Sequence, residues 1–457
     1  MGLIGWIRAV RRMFDRNIIK SKTGITVCIS EEMRHALELW DAIYYNRAPW
    51  IDETTKSINL GAQIATEFAR LITLELKSEV TGSARAEYIN GVYSQILKSL
   101  RRQVERACAT GGIVVKPYLS GGRIYMDFAD NTMFYPTSYD SDGDITGAVF
   151  VAQKVIGDKY YTKLECHDYR DGTETIRNLA YMSRERDCIG REVSLTAVDE
   201  WAQIAPEATI MNIPHPMFAY YRMPVANAVD PQSPLGASVY SRAVDLLAEA
   251  DKQWSRLLWE MEGGELAIDA DASLLEEDED GKIYMDARSR RLYRKVMAGN
   301  LDKDFYNVFS PSLRDESLIN GLNTIFKRIE FNCSLAYGTL SDPQNVDKTA
   351  EEIRASKQRS YAAVSDMQQE LERTLRRVVD IIDIWCTIGR LAPKGRYEVG
   401  YEWDDSIISD RQREFTERQM LVSLGVMKPY EMRAWYLGES EEQAQKMIAG
   451  AMEDEEE

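Results

Sequence analysis

The chain is 457 residues long, 44% hydrophobic and 28% charged; that length supports about three domains with sizeable cores, and the composition excludes a wholly disordered chain. The 56 Lys and Arg stand against 73 Asp and Glu, a net charge of −17, which excludes a protein that grips nucleic acid mainly by neutralising phosphates. Six cysteines without a CxxC pair, no secretory signal peptide and only three histidines, His35, His167 and His215, fit reduced thiols in a cytosolic compartment rather than a disulfide scaffold.

The first predicted element is a basic amphipathic helix. Leu3, Ile4, Trp6, Ile7, Val10, Met13 and Phe14 recur at helical spacing among Arg8, Arg11, Arg12 and Arg16. Residues 1–24 therefore read as an arm that docks in a partner's groove or lies on an anionic membrane, with protein docking preferred. Helices are predicted from Ser30, a good N-cap, toward Tyr44, over about 57–77, and over about 84–109 up to Gly111-Gly112. Short β-type runs follow at 113–115 and 124–128, joined by Ser120-Gly121-Gly122, then at 149–155, 160–168 and 173–181. Residues of about 110–225 thus form a β-rich module, with a proline-punctuated connection, Pro214 to Pro234, at its end.

Ser233-Pro234 predicts the start of a helix running to Gly263-Gly264, about 28 residues or ~42 Å. A small mixed module, 265–309, carries an acidic loop at 276–280 and a basic run of Arg288, Arg290, Arg291, Arg294 and Lys295. Ser310-Pro311 predicts a second helix to about Tyr337-Gly338. After a loop, 339–348, Thr349 and Glu352 form a capping box. The stripe Val364, Met367, Leu371, Leu375, Val378, Ile382 and Trp385 then carries one long helix to about Ile388. A strand-like stretch at 397–403, further helices and the acidic tail 453–457 complete the chain. The fold class is α+β and mostly helical, and no stretch reaches the ~18 uncharged residues of a membrane span.

No catalytic constellation is present: the sequence has no P-loop, HExxH or nucleophile elbow. Cys166-His167-Asp168 reads as part of a half-buried strand, since adjacent strand residues face opposite sides. Asp127 with Asp130, or Asp140, Asp142 and Asp144, could form an acidic metal site, but a polar hairpin turn is the preferred reading of the second group. The basic run at 288–295 reads as a solvated face, a nucleic-acid patch or a patch for an acidic partner. Six acidic residues in 276–286 favour local or subunit-to-subunit charge pairing.

The order of parts, with Leu340-Ser341-Asp342-Pro343, the helix start Lys348-Thr349-Ala350-Glu351-Glu352-Ile353 and the segment Gly236-Ala237-Ser238, resembles the portal (head-to-tail connector) proteins of tailed bacteriophages of the siphophage type. The resemblance covers most of 25–440. It implies a ring of about twelve subunits whose long helices surround a central channel. It also implies an amino-terminal arm (1–24), wing (25–232), first stem helix (233–262), clip (263–309) and second stem helix (310–338). A tunnel loop (339–348), a long tunnel-to-wing helix (349–388) and a crown with an acidic tail (389–457) follow. On that loop Asp342, Gln344 and Asn345 would make polar, non-gripping contacts with DNA, and Lys348 a weak transient one.

The implied role is non-enzymatic, with no metal or cofactor: a channel at one capsid vertex for packaging and ejecting double-stranded DNA. The implied partners are the packaging ATPase (terminase), the head-completion adaptor and tail, and the major capsid protein and scaffold, with no membrane. The implied location is the virion, with host cytoplasm during assembly. Two rival readings are a metal-dependent nuclease using Asp127 and Asp130, and a peripheral membrane protein anchored by residues 1–20.

Overall fold

A computed structural model describes residues 16–453 except 75, 186–187, 272–292, 297–305, 343–349 and 404–410. The chain divides into two compact units, Met1–Thr73 with Val80–Glu398, and Leu74–Glu79 with Val399–Glu457. The first unit opens with helices α1 (Arg16–Thr23), α2 (Glu31–Tyr44) and α3 (Leu60–Thr73). Ser30 caps α2 through a hydrogen bond to the Met33 N–H, as its sequence position predicts. Helix α3 stops at Thr73, short of the predicted 77, because Leu76–Thr81 is instead strand β1. Helix α4 (Ala84–Thr110) carries the central apolar face, with Ala86, Ile89, Tyr93, Ile96, Leu100 and Val104 buried. It ends at Gly111, whose φ of 90° is left-handed.

The β-rich module is two antiparallel sheets. The hairpin β2 (Gly112–Ser120) and β3 (Arg123–Asp130) turns through Gly121-Gly122, as the sequence predicts, and β10 (Ala219–Arg222) pairs with β2. A six-stranded sheet holds β4 (Phe134–Tyr139), β5 (Ile145–Ile156), β6 (Lys159–Arg170), β7 (Thr173–Ser183) and β8 (Arg191–Val193), with β9 (Glu207–Met211) also paired to β7. The strand β10 lies inside the stretch predicted as irregular connection; its alternation of buried Ala219 and Tyr221 is too short to stand out among the prolines.

Both Ser-Pro predictions fail in the same way. Residues 233–240 are buried but not helical, and α5 begins only at Val244, after a 3₁₀ turn at Ser241–Ala243, and ends at Gly263. The cause is tertiary. The Val239 N–H and the Ser238 hydroxyl both donate to the Cys108 carbonyl, and the Gly236 N–H donates to the Tyr220 hydroxyl. Donors committed to the end of α4 and to β10 are not free for a helix. There Gly236 crosses Gly111 so closely that a Cβ on either residue would lie 2.2 Å from the other's carbonyl oxygen.

Three strands follow α5: β11 (Ala267–Asp271), β12 (Tyr293–Val296), parallel to it, and β13 (Tyr306–Phe309), antiparallel to it. Helix α6 spans only Asp315–Asn332, and it packs along α5. Before it, Arg314 is held outside the helix, its backbone N–H and guanidinium both donating to the Glu260 carboxylate. Helix α7, Ala350–Ile388, is one uninterrupted element of 39 residues. Its stripe from Val364 to Ile382 is buried, against α3, α4, β2 and β10.

The second unit pairs β1 with β14 (Glu398–Trp403) and adds α8 (Arg411–Ser423), α9 (Pro429–Leu437) and α10 (Glu441–Glu453). Phe415 meets Tyr436 at 5.3 Å, and the Arg418 guanidinium lies 4.5 Å over Trp435.

Candidate functional site

The segment between α6 and α7 is tied down at its base. Beyond α6 the chain turns at Ser334, whose φ of 60° is left-handed, and folds back along the helix. Glu330, 0% exposed, receives it. Its Oε1 accepts from the N–H groups of Gly338 (3.1 Å), Leu340 (2.7 Å) and Ser341 (2.9 Å), and its Oε2 from the Ser341 hydroxyl (2.8 Å). About two turns earlier on α6, Asn323 Oδ1 accepts from the Asp342 N–H at 2.9 Å. A buried carboxylate is tolerable only when its oxygens are fully bonded, and here backbone donors take the place of a counter-ion.

Helix α7 completes the base. Ser356 Oγ accepts from the Tyr337 N–H at 2.8 Å, and the Arg359 guanidinium stacks 4.5 Å over Phe331 and 5.7 Å over Tyr337. Asp342 is thus the exposed last described residue of a rigid pedestal. Gln344, Asn345, Lys348 and Thr349 lie outside the described residues, as do Arg288, Arg290 and Arg291. Glu352 is in α7, and Arg294 and Lys295 are in β12, paired in register with Asp269 and Ala270 of β11; their side chains are outside the described part.

The metal-site candidates do not assemble. On β3, Asp127 is exposed and lies 3.8 Å from Lys116, whereas Asp130 is held by Arg106 at 2.5 Å. Three residues apart on a strand, their side chains diverge, which removes the pairing the nuclease reading needs. Asp140 accepts from the Asp142 and Asp144 N–H groups in a hairpin turn, and Asp144 pairs with Arg373 and Arg377. Among the described residues no group of three or more His, Cys, Asp and Glu could hold a metal. Nor is any described helix long and apolar enough to cross a membrane.

Beside the Asp142–Ile145 turn is a cavity of about 410 Å³ lined by Arg222, Arg373, Arg377, Asp144, Glu370 and Tyr220, among others. Burial raises the Glu370 carboxyl above its usual range against the pull of those arginines. Carboxylates and guanidiniums balance in its wall, so it favours no charged ligand.

Sequence reasoning missed two buried clusters. Glu330 is one; its signal is a charged residue on the apolar stripe of α6, eight positions after Leu322. The other surrounds His167, which is 2% exposed. Nδ1 faces Glu174 Oε1 at 2.7 Å and Nε2 faces Glu165 Oε1 at 2.9 Å, so each ring nitrogen has a carboxylate oxygen to receive its proton when the ring is charged. Lys116 donates to Glu165 at 2.6 Å, and Lys163 at 2.9 Å. Burial alone would lower the His167 pKa, but the bonds to Glu165 and Glu174 outweigh it and raise it. Likewise burial opposes ionised Glu165, yet Lys116, His167 and Lys163 hold it well below the usual carboxylate range. The signal was the alternation Lys163, Glu165, His167 on one strand face.

A family model described as phage portal protein, SPP1 Gp6-like, matches residues 94–456. No curated protein matches the chain. Among solved structures it is similar to the neck of a native GTA particle computed with C12 symmetry, at 10% identity and a TM-score of 0.38, over 93% of this chain and 98% of that one.

Proposed function

Because this chain belongs to the SPP1 Gp6-like phage portal protein family, we propose that it forms a cyclic ring of about twelve copies at one capsid vertex. Through the ring, double-stranded DNA enters under a separate packaging ATPase and later leaves toward the tail. The observation that carries the reading is the family match over residues 94–456.

Within it, α5 and α6 are the stem, the three-stranded module between them the clip, and residues 25–232 the wing. Residues beyond 388 are the crown, and α7 is the tunnel-to-wing helix. The pedestal around Glu330 carries the tunnel loop, with Asp342, Gln344, Asn345 and Lys348 its DNA-facing groups. Arg288, Arg290, Arg291, Arg294 and Lys295 serve the clip's contacts with neighbours, adaptor and motor. Capsid protein and scaffold meet the wing. The chemistry asked of such a channel is to avoid binding. DNA carries one phosphate per ~1.7 Å of axis, and a net charge of −17 per copy gives a ring that repels rather than grips it.

The test is the mass and negative-stain shape of purified protein. Annular particles near twelve times 52.2 kDa with a central hole are expected; a monomer or dimer at assembly concentrations would overturn the proposal.

A further inference from the structure

The second unit buries too little of itself to hold its own fold. Its helices α8, α9 and α10 are 13, 9 and 13 residues long, lengths that are marginal for a helix standing alone in water. Its sheet, β1 with β14, has two strands, and a two-stranded sheet is marginal by itself. Among the unit's described residues only Ala434 and Ala444 are buried, and two methyl groups do not make a core. The large apolar side chains are on the outside instead, at 37% to 73% exposure.

Those side chains fall in two stretches whose edges carry opposite charge. Met420, Leu421, Leu424 and Val426 lie in the uncharged run 420–427, which closes at exposed Lys428. Tyr436 and Leu437 end α9, and Met447 stands on α10. Beside them, exposed Glu441 and Glu442 open α10 against the single Lys446. Lys428, Glu441 and Glu442 make no ion pair among the described residues.

We infer that the 420–426 stretch of one copy seats against the 436–447 stretch of the next, so that successive copies complete one another's cores. This rests on the portal reading, which supplies the ring. A head-to-tail ring needs two different surfaces on each copy, one for each neighbour, and this unit has two. Apolar surface meets apolar surface, and Lys428 of one copy faces Glu441 and Glu442 of the other. A unit that folds only when covered needs its partner wherever the chain goes, and a second copy is present on those terms. The uncharged run gives nothing to a phosphate backbone, so DNA is not its partner.

Photo-crosslinking of the full chain tests this. Val426 is replaced by p-benzoylphenylalanine, the doubled-mass product of irradiation is isolated on a denaturing gel, and its linked peptides are mapped by mass spectrometry. Links into residues 436–448 are expected. Adding Leu437→Glu, which puts a charge in the apolar contact from an exposed position, should cut the doubled-mass yield at least about tenfold. Leu437→Met keeps volume and polarity and should leave it within about twofold. Doubled-mass links to other segments, links within one copy only, no links at all, or a yield unmoved by Leu437→Glu would overturn the inference. Particle mass is read in parallel: rings without the expected links overturn this contact alone, whereas monomers overturn the ring and the contact with it.

Discussion

Replacing Glu330 should free the base of the segment between α6 and α7 without unfolding the subunit. Glu330→Ala removes four accepted hydrogen bonds at once. The Gly338 and Leu340 amides are half-buried and can regain water, but Ser341 is buried. An unmade bond at a buried group costs about 1–3 kcal/mol, and each bond to an ionised acceptor is worth about 1.5–3. A loss of about 3–5 kcal/mol in local stability follows. Glu330→Gln keeps the oxygen facing the three amides and lets the Ser341 hydroxyl turn to accept. It trades charge-assisted bonds for neutral ones while sparing the desolvation of a charge, a net loss of about 1–2 kcal/mol. Amide hydrogen exchange at Gly338, Leu340 and Ser341 is the assay. Each 1.4 kcal/mol is tenfold in protection, so the alanine variant should exchange about a hundred to several thousand times faster there, and the glutamine variant about tenfold. Unchanged exchange at these amides in Glu330→Ala, with α6 still protected, would refute the pedestal.

The His167 cluster makes stability depend on pH. A folded pKa above the ordinary 6.5 gives stabilisation complete below about 6.5 and lost as pH rises through the folded value. Glu165, depressed below 4.5, contributes above about 4.5 and is lost as pH falls through its folded value. Urea midpoints should therefore be highest between those limits, and His167→Gln should flatten the alkaline limb; an unaltered limb counts against the paired imidazolium. Gly236→Ala places a methyl against immovable backbone and should cost about 3 kcal/mol or more, measured by denaturant unfolding; wild-type stability would contradict the crossing. Arg85, 2% exposed, donates to Asp383 and to the carbonyls of Asp383 and Ala392. Arg85→Leu should cost about 3 kcal/mol by stranding those acceptors, and a thermal midpoint equal to wild type would show they find other donors.

Elements whose signals are local were legible in the sequence. Ser30, the Gly121-Gly122 hairpin, the stop at Gly111 and the 39-residue α7 follow from capping, turn chemistry and one sustained stripe. The Ser-Pro starts at 233 and 310 were misleading because the deciding partners, Cys108, Tyr220 and Glu260, are distant in sequence. Strands β10 and β1 were missed for the same reason: four- to six-residue strands are defined by the neighbours they join. Among the pedestal residues, Asp342 was singled out only through the loop's resemblance to the portal family. Glu330 and Asn323, which hold that loop's first residues, were missed: a carboxylate on an apolar stripe signals burial, but not that backbone N–H groups are its partners.

The meeting of Gly111 and Gly236 has a consequence for how the subunit can change. Each oxygen fills the volume the other's side chain would need, so the obstruction is mutual and no compensating substitution exists at either position. A second alanine should add little to the damage of the first, because one separation of the two backbone segments relieves both. The end of α4 and the approach to α5 are thereby fixed as a single joint, and variation that alters one must go around the other.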